Sequence, residues 1–115
     1  MGLLMTVRSA MSPGCSQAVV ELAGEADLND REALRELLAA QSGDQTGTLV
    51  LDTSELWFMD SAILHVILVT ARTMRSAGGT LVLAAPREPV RRILALSGAD
   101  QLLPVYDSVA EAISR

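Results

Sequence analysis

The chain has 115 residues, half of them apolar, 3% aromatic and 20% charged, with a formal net charge of -5 at pH 7. That length fits a single domain over residues 1–115 with one core, and the apolar share excludes a disordered chain. The acidic balance argues against nucleic acid or an anionic membrane surface as the main partner, and the single Cys15 excludes an internal disulfide or a multi-cysteine metal cluster.

With so few aromatics, the core must be built from Leu, Val, Ile, Ala and Met. The opening Met1-Gly2-Leu3-Leu4-Met5-Thr6 has no charged leader region, and no apolar run reaches the length of a membrane span, so the expected compartment is the cytoplasm. Gly2 fits a loose myristoylation pattern, but Leu3 to Val7 already reads as a strand. Alternation in Met5-Thr6-Val7-Arg8 and in Gln17 to Leu22 predicts two strands, and Ser12-Pro13-Gly14 between them is hairpin-turn chemistry. Cys15, just after that turn, reads as a plain surface thiol.

Gly24 to Asp30 follows as a loop ending in cap residues. Ala33, Leu34, Leu37 and Leu38 then recur at helical spacing, with Asn29 or Asp30 as N-cap and Gly43 beyond the end. Thr48 to Leu51 is a short apolar run, as expected of a central strand covered on both faces, and Asp52 closes it. After a short loop, Ser61 opens a long apolar helix that stops at Gly78-Gly79. Thr80 to Ala84 predicts another buried strand, Pro86 to Leu96 a third helix with Pro89 in its first turn, and Leu103 to Val105 a last strand. Asp107 caps a final short helix through Ile113. Alternating strands and helices joined by right-handed crossovers predict an α/β fold. Its sheet would be mostly parallel, with four to five strands, an antiparallel edge hairpin and about four helices.

Little of the chemistry suits an enzyme. His65 is the only histidine, no phosphate-binding glycine loop is present, and Gly78-Gly79 is explained as a helix stop. Asp52 and Asp60 are candidate paired carboxylates, but their places at a strand end and before a helix favour capping. No catalytic residue, metal ligand or cofactor is therefore assigned. Ser61, by contrast, stands at a helix N-terminus, where unpaired N–H groups and the macrodipole favour added negative charge.

The Ser61 helix is apolar nearly all round, more than packing on one side of a sheet requires. Ser61, His65, Leu68 and Arg72 share one face. If Ile63, Val66, Ile67 and Thr70 face the sheet, Leu64, Leu68 and Val69 are at least partly outside. The helix is then either fully buried or a semi-apolar docking surface with Ser61 at its edge, and such a face would also permit a homodimer.

Phe58-Met59-Asp60-Ser61, after a strand ending Leu51-Asp52, resembles the signature of the STAS-domain anti-anti-sigma factors (anti-sigma factor antagonists). The likeness continues in Gly24-Glu25-Ala26-Asp27, Gly78-Gly79, Ser97-Gly98 and the segment Tyr106 to Ala112, and so covers nearly the whole chain. It implies a single STAS-like domain whose unphosphorylated form binds an anti-sigma factor that is also a serine kinase, freeing a sigma factor. Phosphorylation, at Ser61 here, ends the binding, and a PP2C-type phosphatase resets it. By the same resemblance Asp27 lies near Ser61 in the partner-binding surface; its other reading is loop or cap hydrogen bonding. Trp57, Asp60, Ser61, Ile63, Leu64, His65 and Leu68 complete the expected contacts, Trp57 being either a solvent-facing anchor or partly buried against the sheet edge. Ile63 and His65 stand where the family pattern has glycines, which leave room for a partner. The alternative is a divergent STAS scaffold or transport-accessory subunit, with Ile63, Leu64, His65 and Leu68 in a permanent interface and Ser61 unmodified.

Overall fold

A computed structural model describes residues 2–12, 15–42 and 47–114. The Pro13-Gly14 turn, Gly43 and the side chain of Cys15 lie outside the described residues. β1 (Leu3–Ser12) and β2 (Cys15–Ala26) pair antiparallel from Leu3 opposite Gly24 to Ser12 opposite Cys15. α1 (Arg31–Gln41) follows, then β3 (Thr48–Met59), α2 (Ser61–Ser76), β4 (Thr80–Ala84), α3 (Glu88–Ser97), β5 (Val105–Tyr106) and α4 (Val109–Ser114). The strands form one five-stranded sheet in the order β1-β2-β3-β4-β5, parallel at every junction after the hairpin. This is the expected α/β architecture.

Consecutive strand residues point to opposite faces, and both faces are covered. Val20, Leu22, Leu49, Leu51, Leu81 and Leu83 pack beneath Leu34 and Leu38 of α1, Ile63 and Ile67 of α2, and Val90 and Leu94 of α3. On the reverse face Val19, Val50, Val82 and Ala84 meet Ala112 of α4, flanked by Val109 and Ile113. α2 packs against both α1 and the sheet. Two neighbours rather than one widen its buried stripe to Ile63, Leu64, Val66, Ile67, Ala71 and Met74. That accounts for its nearly all-round apolar sequence. It also corrects the placing of Leu64 outside: Leu64 is only 6% exposed.

Several boundaries differ from the sequence pattern. β2 runs on through Gly24 to Ala26, and β3 runs on from Asp52 to Met59 where a loop is expected. Parallel pairing continues between them, but β3 carries an extra residue in two places: Glu21 pairs with Asp52 and Ala23 with Glu55, then Gly24 with Leu56 and Glu25 with Phe58. These bulges break strict alternation, so the segment does not read as a strand. α3 starts at Glu88, with Arg87 as N-cap and Pro89 in its first turn. The last strand is Val105–Tyr106, since Pro104 has no N–H and contributes only its carbonyl, which accepts from the Leu83 N–H at 3.0 Å. The cap of α4 is Ser108, whose Oγ accepts from the Glu111 N–H at 3.1 Å. Asp107 instead pairs with Arg91 at 2.9 Å.

Gly24 is the one position in β2 with a left-handed backbone, φ +96°, and a Cβ there would collide with the Gly2 carbonyl oxygen. Only glycine lets the start of β1 lie across this point of β2. Gly24→Ala should therefore lower the unfolding free energy by about 1–3 kcal/mol, read as a shifted urea midpoint. An unchanged midpoint would show that the β1 end moves aside and that the backbone at residue 24 leaves the left-handed region without cost.

Candidate functional site

The C-terminal ends of β2 and β3 bring two acidic turns together. Ala26 and Met59 are register partners, and the Asp60 N–H donates to the Ala26 carbonyl at 3.2 Å, so Asp27 and Asp60 leave the sheet side by side. Each is held by local hydrogen bonds. The Asp27 carboxylate accepts from the Asn29 N–H at 2.9 Å, and the Asp27 N–H donates to the Asp30 carboxylate at 3.0 Å. This capping box starts a 3-10 turn, Leu28–Asp30, that leads into α1. Asp30 occupies the N-cap position of α1 but makes no side-chain cap there, so the capping expected of Asn29 or Asp30 is supplied one turn earlier by Asp27.

Asp60 is the N-cap of α2. Its backbone is extended, its carboxylate accepts from the Ile63 N–H at 3.1 Å, and its carbonyl accepts from the Leu64 N–H at 3.1 Å. Ser61 is thus the first helical residue and is exposed. An exposed hydroxyl in the first turn of a capped helix is reachable by another protein, and the positive end of the dipole favours an anion there. No Asp or Glu occupies that first turn.

From Ser61 the open face of α2 runs through exposed His65, half-buried Leu68 and exposed Arg72, the stripe that helical spacing predicts. Ile63 is completely buried and Leu64 nearly so. Both support this surface from below, as members of the main core. Asp52 and Asp60 do not converge as a carboxylate pair. They are separated by a run of extended strand on the order of 20 Å long, and the Asp52 carboxylate accepts from the Ser54 N–H at 3.0 Å. Among the described residues, no group of three His, Cys, Asp or Glu side chains could hold a metal ion, and no helix is long and apolar enough to cross a membrane.

The second bulge of β3 leaves Trp57 and Phe58, neighbours in sequence, both outward at 49% and 43% exposure, while Leu56 and Met59 are buried. Arg87 was not singled out by the sequence. Its guanidinium lies 3.6 Å from the Trp57 ring centroid and donates to the Ser54 carbonyl at 2.8 Å. It covers the β3 edge beyond the end of β4 and holds Trp57 against the surface. Nothing in local periodicity signals this contact, because Arg87 arrives by way of the β4–α3 connection.

A family model described as "Mlab, STAS domain" matches residues 11–104. The chain is 32% identical over 97 residues to an anti-sigma F factor antagonist of Paenibacillus polymyxa, covering 84% of this chain and 83% of the relative. The crystal structure of an anti-sigma factor antagonist from Mycobacterium paratuberculosis superposes with a TM-score of 0.80 at 26% identity, covering 96% of this chain and 92% of that one. The anti-sigma factor antagonist SpoIIAA in its unphosphorylated form gives a TM-score of 0.75 at 25% identity, covering 96% and 95%.

Proposed function

This chain belongs to the STAS domain family, and from that premise we propose that it is an anti-sigma factor antagonist switched by phosphate on Ser61. Its unphosphorylated form binds an anti-sigma factor with serine kinase activity in the cytoplasm and so frees a sigma factor; a PP2C-type phosphatase restores it. The chain acts by binding, not by catalysis. The observation that carries this reading is the placing of an exposed Ser61 as first residue of α2, directly after the Asp60 cap and beside the Asp27 turn. Antagonists among the relatives and structural neighbours supply the partner class.

The chemistry fits a switch. A neutral hydroxyl at the rim of a partner surface is replaced by roughly -1.5 to -2 charges on phosphorylation. Helix-end N–H groups can accept that charge, so the domain stays folded. A partner surface complementary to the neutral hydroxyl, and to the two nearby carboxylates, now meets added negative charge and lets go. Asp27, Trp57, His65 and Leu68 are the proposed contacts around it, with Ile63 and Leu64 acting through the packing of α2.

Incubation with ATP and the candidate serine kinases of the same genome should add one phosphate, seen by intact mass and located by peptide fragmentation at Ser61. Modification at another residue, or none with any such kinase, would remove the switch.

A further inference from the structure

We propose that the C-terminal half of α2 is a second docking site, a cationic groove that takes an apolar, carboxylate-bearing segment of the partner controlled by Ser61. This rests on the preceding reading. α2 has no Asp or Glu from Ser61 to Ser76, yet carries Arg72 and Arg75, in a chain with net charge -5. Between α2 and the turn after α3 an open groove is lined by Leu68, Ala71, Arg72, Arg75 and Leu102. Arg75 donates to the Leu102 carbonyl at 2.9 Å, which fixes the far wall, and Leu102 is itself 52% exposed. Asp100, in the same turn, does not line the groove.

The ion pairs among the described residues are Arg35–Glu32 and Arg91–Asp107, and neither uses Arg72 or Arg75. Like charges three apart on a helix repel. Arg75 lies in the last turn, where the macrodipole and its bond to Leu102 explain it. Arg72 is earlier, exposed, and has neither role. Two guanidinium groups over Leu68, Ala71 and Leu102 are complementary to a carboxylate next to an aliphatic or aromatic side chain. The open face of α2 then reads from an acidic end, Asp27 and Asp60, to a cationic groove. A partner lying along it must present the opposite order, and this polarity fixes one docking direction.

The test uses the kinase that phosphorylates Ser61 as probe, with affinities measured by calorimetry at low and high salt. Arg72→Glu should weaken binding roughly tenfold or more at low salt, and the difference should shrink as salt screens the groove. Leu102→Asp should act in the same direction, while the thermal midpoints of both variants stay near wild type. Binding of Arg72→Glu within twofold of wild type would overturn the groove while leaving the switch intact if Ser61→Asp still loses affinity. Loss with Arg72→Glu but not with Ser61→Asp would keep the groove and overturn the switch. Capture of wild type, but not Arg72→Glu, on phosphatidylglycerol vesicles would assign the groove to lipid instead and sink the proposal.

Discussion

Ser61→Asp should lose about 100-fold in affinity for the anti-sigma kinase, while Ser61→Ala binds as tightly as unmodified wild type and is never released by ATP. The magnitude follows from the site. Asp60 caps the helix one residue before, and Asp27 leaves the neighbouring strand alongside it, so a carboxylate at 61 joins two existing ones. Placing a like charge where a partner has been matched to a neutral group costs several kcal/mol, and about 3 kcal/mol corresponds to a factor of roughly 100. The same substitution should leave the fold untouched or slightly firmer. Aspartate in the first turn of a helix interacts favourably with the macrodipole by about 0.3–1 kcal/mol. Opposite signs for binding and stability are the discriminating result, since a variant that merely unfolds loses both. Equal affinities for wild type, Ser61→Ala and Ser61→Asp would show that the hydroxyl does not control binding.

Most of this architecture is legible in the sequence because its elements carry their own periodicity. Ser61 to Ser76, Thr80 to Ala84 and the α/β order with an edge hairpin follow from apolar spacing, caps and glycine stops. The serine at a helix start was legible too, because an aspartate before an apolar run is a local signal. What escaped were features set by neighbours far away in sequence. Trp57 and Phe58 face outward together only because β3 bulges against β2. Arg87 covers Trp57 across thirty positions of chain, and so leaves no trace in any window around either residue. Spacing leaves Leu64 open between a buried helix and a partly outward place, because it gives a helix face but not the number of elements packed on it; α1 supplies the second neighbour, and Leu64 is buried. Asp27, by contrast, is legible both as a candidate contact and as a cap, because its box spans only Asp27 to Asp30.

Burial separates the roles of Ile63 and His65, the two positions where the family pattern has glycine. If both filled space left for a partner, restoring glycine at either would act on binding. The structure separates them. Ile63 is completely buried in the main core, and its N–H is held by the Asp60 carboxylate, whereas His65 is exposed two residues on. Ile63→Gly removes a whole core side chain and leaves a cavity, and with the added cost of glycine in a helix it should cost about 3–6 kcal/mol. A domain of this size has only about 5–15 kcal/mol to lose. His65→Gly removes no core packing and should cost only about 0.5 kcal/mol, the helix-propensity difference between histidine and glycine at an exposed interior position. Urea unfolding of the two variants checks the ranking, and binding to the kinase checks its consequence. Affinity, once corrected for the folded fraction, should change with His65→Gly, which alters the partner-facing surface itself. It should change little with Ile63→Gly, which lies beneath that surface. Equal destabilisation by the two glycines would mean that residue 63 does not anchor α2 to the core and that the helix start is held by Asp60 alone.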